Sequence, residues 1–456
     1  MSVASETAPR ARPPKPPAEV EVTIDSMAHG GAGVARLEGY VLFVSGAIPG
    51  DRVRAVITKS KRAYAEARTL EVLEPSPERI PPVADHPGAP WQVLPYERQL
   101  EIKAEQVEDA LRRIGKLDGF EVEPIVPAEQ QWRYRNKVEF SFGRQDDRLV
   151  CGFHAAGSWE DIVDMDDCLL VSEQVNDVRR AVLEHLRAEG YEPWDRRSQL
   201  GFLRNLIIRE GRRTGQLQVR LVTSKGELDG DALAAAVPGD GGVFWTQAAG
   251  VAETTQGGYT EHLSGPPALD EELGGLRFAI SPDAFFQTNT EMAEQLYAIA
   301  IEYAQLKGWE RVFDLFCGIG TIGLSLAGRA GEVWGVEIVE HAARDAIANA
   351  KRNEIGNAHF FAGDVRLAMR DLVERAGRPD VLVVDPPRAG LSQKIVRRVI
   401  EANPKRIVYV SCNPTTLAPN AAQLTEAGYV LKKVRPVDMF PQTHHVECVA
   451  VLDRAG

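Results

Sequence analysis

A cysteine stands where a nucleophile could work. Cys412 lies in Val410-Ser411-Cys412-Asn413-Pro414, directly after an apolar run, Arg406-Ile407-Val408-Tyr409-Val410. A second run, Val381-Leu382-Val383-Val384, ends in Asp385-Pro386-Pro387-Arg388. A third, Arg311-Val312-Phe313-Asp314-Leu315-Phe316, passes into Cys317-Gly318-Ile319-Gly320. Short apolar runs bounded by Gly and Pro read as buried parallel strands. Open parallel sheets bind ligands beyond the carboxyl ends of their strands. A thiol, a carboxylate and a glycine loop at three such ends imply a cofactor-dependent enzyme with a cysteine nucleophile. Backbone N–H groups beside Asn413-Pro414 are free to lower a thiol pKa.

The glycine loop, Gly318-Ile319-Gly320-Thr321-Ile322-Gly323, is a G-x-G-x-x-G between a strand and a helical run that begins near Leu324. Alone it serves dinucleotides equally well, since bare backbone can approach the ligand. The next strand, Glu332 to Glu337, ends in a carboxylate able to hold two ribose hydroxyls, in NAD or in S-adenosylmethionine. Asp364 ends the strand after that, suited to an adenine amine. Asp314 favours S-adenosylmethionine, whose sulfonium and amino groups are cationic; a pyrophosphate would be repelled. Amino-group methyltransferases carry a motif similar to Asp385-Pro386-Pro387, but an aromatic follows it there, and Arg388 follows here. Glu447 brings a further carboxylate to the head of a last apolar strand.

A thiolate, a carboxylate base and a methyl sulfonium together suit C5 of a pyrimidine. Addition of a thiolate to C6 makes C5 enolate-like and able to attack the methyl group. The C5 proton must then leave, which requires a general base. Cys412 is the expected nucleophile and Glu447 the base, with Asp385 orienting the ring. A target base in folded RNA must leave its stack to enter such a pocket. An NAD enzyme is disfavoured by Asp314. A non-catalytic RNA-binding protein is disfavoured by the presence of Cys412, Asp385 and Glu447 together.

These residues need a sheet to hold them, and the chain has room for more than one domain, with 456 residues. From Phe278 onward the pattern alternates strand and helix, predicting an α/β, Rossmann-like methyltransferase domain over 276–456. Residues 19–75 contain short alternating strands separated by turns such as His29-Gly30-Gly31-Ala32-Gly33, predicting a small β-barrel. A Pro-rich linker follows. Apolar spacing through Leu100, Val107, Leu111 and Ile114 predicts a helix over 96–115, placed to pack on the catalytic domain. The rest of 76–275 reads as a β-rich central domain, with Trp132 to Phe142 as one strand. Residues 1–18 hold Pro, Ala, Arg and Lys without an apolar core and are expected to be a disordered tail. Five scattered cysteines argue against a disulfide framework. No apolar run is long enough for a membrane span, and a cytoplasmic monomer is expected. A formal net charge of −12 disfavours indiscriminate coating of nucleic acid. A local basic stretch, Arg52 to Arg68, contains Lys59, Lys61 and Arg62 against only Glu66.

The block Gly30 to Arg36, with Phe43-Val44 and Pro49-Gly50-Asp51, resembles the TRAM module, a small RNA-binding barrel. From there to the C-terminus the chain resembles the RNA uracil-C5 methyltransferase family. The resemblance is carried by Ser281-Pro282-Asp283-Ala284-Phe285-Phe286-Gln287-Thr288-Asn289, Asp314 to Gly320, Asp385 to Leu391 and Ser411-Cys412-Asn413-Pro414. It implies that Gln287, Phe316, Thr321, Glu337, Asp364 and Asp385, with Asp314, Gly318 and Gly320, line the cofactor or target site. It assigns Cys412 and Glu447 the roles derived above. It also implies that Arg133, Arg135, Asn136 and Lys137, around the motif Tyr134-Arg135-Asn136-Lys137, face RNA, alongside Lys59, Lys61 and Arg62. Many relatives hold a four-iron cluster through three close cysteines before the helix at Tyr96 and one later. Here Ala84 to Gln92 has none, and Cys168 is alone in its position. One thiolate cannot hold such a cluster, so no metal is expected. Cys151, Cys168, Cys317 and Cys448 are then structural. A TRAM-like barrel, typical of the family's ribosomal members, points to 23S rRNA, with transfer RNA as the alternative.

Overall fold

A computed structural model of the protein describes residues 15–158, 160–248, 250 and 258–456. The expected tail lies outside these as far as residue 14. The described residues form two compact units. One contains the chain up to Asp85 with Ala89–Gln106 and Pro441–His445; the other contains His86–Gly88, Val107–Phe440 and Val446–Gly456.

In the first unit, six strands form one sheet: β1 (Glu19–Thr23), β2 (Ser26–Met27), β3 (Gly33–Leu37), β4 (Tyr40–Ser45), β5 (Arg52–Ser60) and β6 (Tyr64–Glu74), in the order β1-β5-β6-β4-β3-β2. Period-two alternation turns Val53, Ala55, Ile57, Leu42, Val44, Ala65 and Ala67 into one core. The outward face of β5 is less basic than its own stretch of sequence. Arg52 pairs with Glu21 and Glu74, and Arg54 with Glu71. Those acids come from the neighbouring strands β1 and β6, beyond the stretch read in sequence.

After α1 (Tyr96–Asp109), a π-helical turn over Ala110–Ile114 ends at Gly115. Val107, Ala110 and Leu111 join a core in the second unit with Leu417, Ala418 and Ala421. The short strand β7 (Glu121–Val122) follows. A seven-stranded sheet then forms from β8 (Lys137–Gln145), β9 (Arg148–His154), β10 (Ile162–Asp164), β11 (Leu203–Glu210), β12 (Leu217–Thr223), β13 (Gly242–Gln247) and β14 (Tyr259–Ser264). It carries α2 (Glu173–Ala188) and α3 (Gly230–Ala236), which the β-rich reading of this region did not anticipate. The signals for α2 are present: Ser172 caps Val175 N–H, and Val175, Val178, Val182, Leu183 and Leu186 are buried at helical spacing. The strand expected from Trp132 begins only at Lys137, because Arg133 adopts a left-handed φ of 54°. A hairpin, β15 (Leu269–Leu273) and β16 (Leu276–Ile280), leads into α4 (Thr290–Ala304).

The last sheet combines β17 (Arg311–Leu315), β18 (Glu332–Glu337), β19 (Ala358–Ala362), β20 (Val381–Val384), β21 (Arg406–Ser411), β22 (Tyr429–Val437) and β23 (Glu447–Arg454) with β7. Its order is β19-β18-β17-β20-β21-β23-β22-β7. Between its strands run α5 (Thr321–Ala327), α6 (Glu340–Arg352), α7 (Val365–Ala376), α8 (Gln393–Ala402) and α9 (Pro414–Glu426). Val312, Val381, Val383, Val408 and Val410 pack on one face with α4, α5 and α6. Phe313, Leu382, Val384, Ile407 and Tyr409 pack on the other with α7, α8 and α9. Both faces are covered, which is why these strands are apolar throughout. No helix among the described residues is long and apolar enough to cross a membrane.

The cysteine-free stretch before α1 packs with the barrel strands. Trp91 is 2% exposed and clusters with Ile48, Leu94 and Ile102, with Lys103 Nζ 5.7 Å from its ring centroid. The sequence reading ties this segment to the central domain; its packing ties it to the first unit. Trp91→Ala should destabilise that unit by about 3–5 kcal/mol, measured by urea unfolding.

Candidate active site

The parallel register aligns the strand ends that carry the motifs. Leu315 pairs with Val384, and Val384 with Tyr409. Asp314, Phe316 and Asp385 therefore meet at the switch point between β17 and β20, where neighbouring strands lead away in opposite directions. The antiparallel strand β23 places Cys448 opposite Ser411. Glu447 and Cys412 follow that last pair on their two strands, and the Glu447 carboxylate acts on the Cys412 thiol.

Around the switch point is a cleft lined by Phe285, Gln287, Tyr297, Asp314, Phe316, Gly318, Thr321 and Asp385. Phe316 reaches it from a left-handed φ of 66°, an unfavourable conformation for a residue with a side chain. Gly320, at φ 86°, opens α5. Gly323 N–H donates to Asp314 Oδ2 at 2.9 Å, and a Cβ on Gly323 would lie 2.8 Å from that oxygen. The third glycine of the loop is thus required by a close helix–strand approach. Tyr297 Oη and Thr321 Oγ1 are 3.2 Å apart. Tyr297 was not singled out in sequence, because its place on an apolar helix face reads as core.

Glu337 receives Gly318 N–H on Oε2 at 3.0 Å and Val339 N–H on Oε1 at 2.9 Å. Each oxygen keeps a second lone pair for a hydroxyl. Asp364 caps α7, accepting Arg366 N–H at 2.8 Å, and lies in a groove with Arg366 and Ser392–Ile395 outside the main cleft.

The site is dry and acidic. Burial, followed by the Asp385 and Glu337 carboxylates, raises the Asp314 pKa to about 7 against the pull of Gly323 N–H. Burial alone raises Asp385 to about 7. Burial and Asp385 hold Glu447 well above the usual carboxylate range, with Arg388 opposing. Burial, then Glu447 and Asp385, push the Cys412 thiol up to about 12, again against Arg388. Asn413 N–H donates to Ser411 Oγ and caps α9 through its side chain. The cap does not lower the Cys412 pKa; burial and the neighbouring carboxylates outweigh it.

The residues fit S-adenosylmethionine. Asp314 Oδ1 is buried without a hydrogen-bond partner, a costly state for a carboxylate oxygen. A cationic amino group is a chemical match for it. The residues do not fit an iron cluster: among the described residues no group of three His, Cys, Asp or Glu side chains could hold a metal ion. Cys168 Sγ lies 3.3 Å from His86 Nε2. Cys151 and Cys448 are buried, and Cys317 lines the cofactor cleft.

The residues expected to face RNA divide. Lys61 and Arg62 are exposed in the β5–β6 turn, and Arg135 is half-buried. Arg135 lies over the Tyr134 ring, 5.9 Å from its centroid. Lys59 sits 3.7 Å from Glu66, Lys137 2.7 Å from Glu139, and Arg133 is held by Asp167 and Glu173. Asn136 is 2% exposed. Its amide is spent on the Gln287 carbonyl and the Thr290 hydroxyl, each at 2.8 Å, so it presents no group to RNA in this conformation.

Comparison with known proteins adds to this geometry. Residues 274–455 match the family described as tRNA (uracil-5-)-methyltransferase, and residues 17–70 match the TRAM domain. An uncharacterized RNA methyltransferase of Halalkalibacterium halodurans is 39% identical over 95% of this chain and 96% of its own length. One from Bacteroides thetaiotaomicron is 40% identical over 94% of this chain and all of its own. The solved tRNA (uracil-54, C5)-methyltransferase of Pyrococcus abyssi, in complex with S-adenosyl-L-homocysteine, is 29% identical with a TM-score of 0.78. That match covers 95% of this chain and 100% of the other.

With burial raising Asp314 and Asp385 to about 7, most of their protons are held at about pH 6 before a cation binds. Binding of a cation lowers those pKa values and expels protons. S-adenosylmethionine affinity should therefore rise from about pH 5.5 to 7.5 and then level off. Calorimetry at the lower end, in buffers of different ionisation enthalpy, should show net proton release. A dissociation constant flat across that range would contradict this electrostatic assignment.

Proposed function

Because the chain belongs to the RNA uracil-C5 methyltransferase family, we propose that it methylates C5 of a uridine in structured RNA through a covalent adduct on Cys412. The observation that carries this reading is the electrostatic proximity of Cys412 to Glu447 and Asp385, at the ends of strands whose register pairs Ser411 with Cys448. Bound S-adenosylmethionine supplies an electrophilic methyl group. Asp314, Phe316, Gly318, Gly320 and Thr321 would hold it, together with Gln287, and Glu337 would receive the ribose. Asp364 serves the adenine side.

On RNA binding, the thiol passes its proton to solvent and Cys412 Sγ bonds to C6 of the uracil. The displaced electron pair gathers at C5, making that carbon nucleophilic toward the electrophilic methyl group that bound S-adenosylmethionine would supply, with its thioether as the leaving group. Asp385 meets the polar edge of the ring and fixes its plane. Glu447 then removes the C5 proton, and the electrons left behind expel the Cys412 thiolate. The barrel over 19–75 and the central sheet within 76–275 are assigned to RNA, through Arg135, Lys61 and Arg62 above all. Residues 276–456 carry out the transfer.

Transfer RNA is favoured over 23S rRNA as the substrate. The barrel pointed to ribosomal RNA when read alone. Yet the match to the solved tRNA enzyme covers 95% of this chain, too much to omit a barrel of this size. A barrel shared with a tRNA enzyme cannot argue for ribosomal RNA.

RNA carrying 5-fluorouridine should trap the wild-type protein in a denaturation-resistant adduct, because fluorine cannot leave as a proton. Cys412→Ala should abolish adduct and turnover. Glu447→Gln should accumulate a methylated protein–RNA adduct on natural RNA. Normal turnover by either variant would sink the mechanism. For the substrate, mass mapping of RNA from a strain lacking the protein should show 5-methyluridine lost from a tRNA T-loop fragment. Loss confined to 23S rRNA fragments would reverse the substrate assignment.

A further inference from the structure

The loop between β16 and α4, residues 281–289, brings Phe285 and Gln287 to the cleft, yet it contains little structure of its own. Its internal backbone bond is a single turn, Ala284 N–H to the Ser281 carbonyl at 3.0 Å. What holds its carbonyls comes from the central sheet. Arg209, on β11, donates through Nη2 to the Ala284 carbonyl at 2.8 Å and through Nη1 to the Ser281 carbonyl at 3.3 Å. Arg220, on β12, pairs with Asp283. Asn136, just ahead of β8, donates its backbone N–H to the Thr288 carbonyl at 2.8 Å. Its side-chain amide bridges the Gln287 carbonyl and Thr290 Oγ1. Thr290 in turn donates to Glu271 at 3.0 Å.

This arrangement is expensive. Arg209 is 2% exposed, and burial, with Arg220 alongside, brings its pKa down to about 10. A guanidinium is kept in such a place only where its hydrogen bonds are needed. Those bonds go to the loop, and neither Arg209 nor Asn136 is exposed to RNA.

We infer that Asn136 and Arg209 are positioning residues for the methyl-donor cleft: through the carbonyls of loop 281–289 they set where Phe285 and Gln287 stand. The inference rests on the cofactor assignment made above. It gives the central sheet a second task, shaping the cofactor site as well as carrying RNA contacts.

The test uses the full chain and two separate affinities. S-adenosylhomocysteine binding is measured by calorimetry, and binding of an unmodified tRNA transcript by filter retention. Asn136→Ala leaves the Gln287 carbonyl and Thr290 without their donor. It should weaken S-adenosylhomocysteine about tenfold or more while RNA affinity stays within about twofold. Arg209→Lys keeps the charge and loses the forked contact; it should give a smaller loss of the same kind, and it serves if the alanine variant fails to fold. S-adenosylhomocysteine affinity unchanged in the folded variants overturns the inference. So does a tenfold fall in RNA affinity in either variant, since these side chains would then be RNA contacts. Failure of the wild-type protein to bind S-adenosylhomocysteine would instead overturn the cofactor assignment beneath it.

Discussion

Everything in the catalytic unit depends on acidic groups sharing one water-poor strand edge. Asp314, Asp385 and Glu447 stand at neighbouring strand ends, and burial raises the pKa of each. Ionising Asp314 in place costs on the order of 4 kcal/mol more than in water. A fold at rest does not gain from such a cluster. The fold tolerates it because apolar contacts on both faces of the sheet keep the strand ends in line. Burial, reinforced by the same proximity, raises the Cys412 thiol, so the proposed nucleophile is restrained until ligands change its surroundings. A cationic cofactor is therefore more than a reagent here. In the proposed function, its charge offsets the repulsion among these carboxylates.

Rigidity comes from different sources on the two sides of the cleft. On the sheet side, strand register does the work, and Gly323 brings α5 close enough to bond Asp314. On the opposite side a loop has to be held from outside, by side chains that reach its carbonyls from the central sheet. Strand ends admit few alternatives, because a slip of one residue would turn Asp385 or Glu447 to the other face. A loop has no such protection, which accounts for buried arginines where an apolar core would be simpler.

The sheet was legible in the sequence because strands buried on both faces produce unbroken apolar runs, and their ends showed up as Asp385, Cys412 and Glu447. The barrel was legible from glycine turns and alternation. What sequence could not supply was the partner of each charge. Arg52 and Arg54 looked free until β1 and β6 brought acids alongside. Asn136 was expected to face RNA from the resemblance of its motif to the family, but its amide points inward to the Gln287 carbonyl and Thr290. Tyr297 carried no signal at all, since a tyrosine among alanines and leucines on a helix reads as packing. The helix α2 did carry signals, in its cap and spacing, and they were outweighed by the strands on either side.

The first compact unit is not contiguous in sequence. Besides the barrel strands it contains Pro441–His445. Gln99 and Gln442 exchange hydrogen bonds at 2.8 and 3.0 Å, and Trp91 N–H bonds the Gln442 carbonyl at 2.9 Å. During synthesis the strands of the barrel emerge first, but the residue that satisfies Gln99 and Trp91 emerges 343 residues after Gln99. The unit that begins to fold earliest must wait, with donors open, for that distant segment. A barrel cut out at its apparent boundary would remain in that unfinished state.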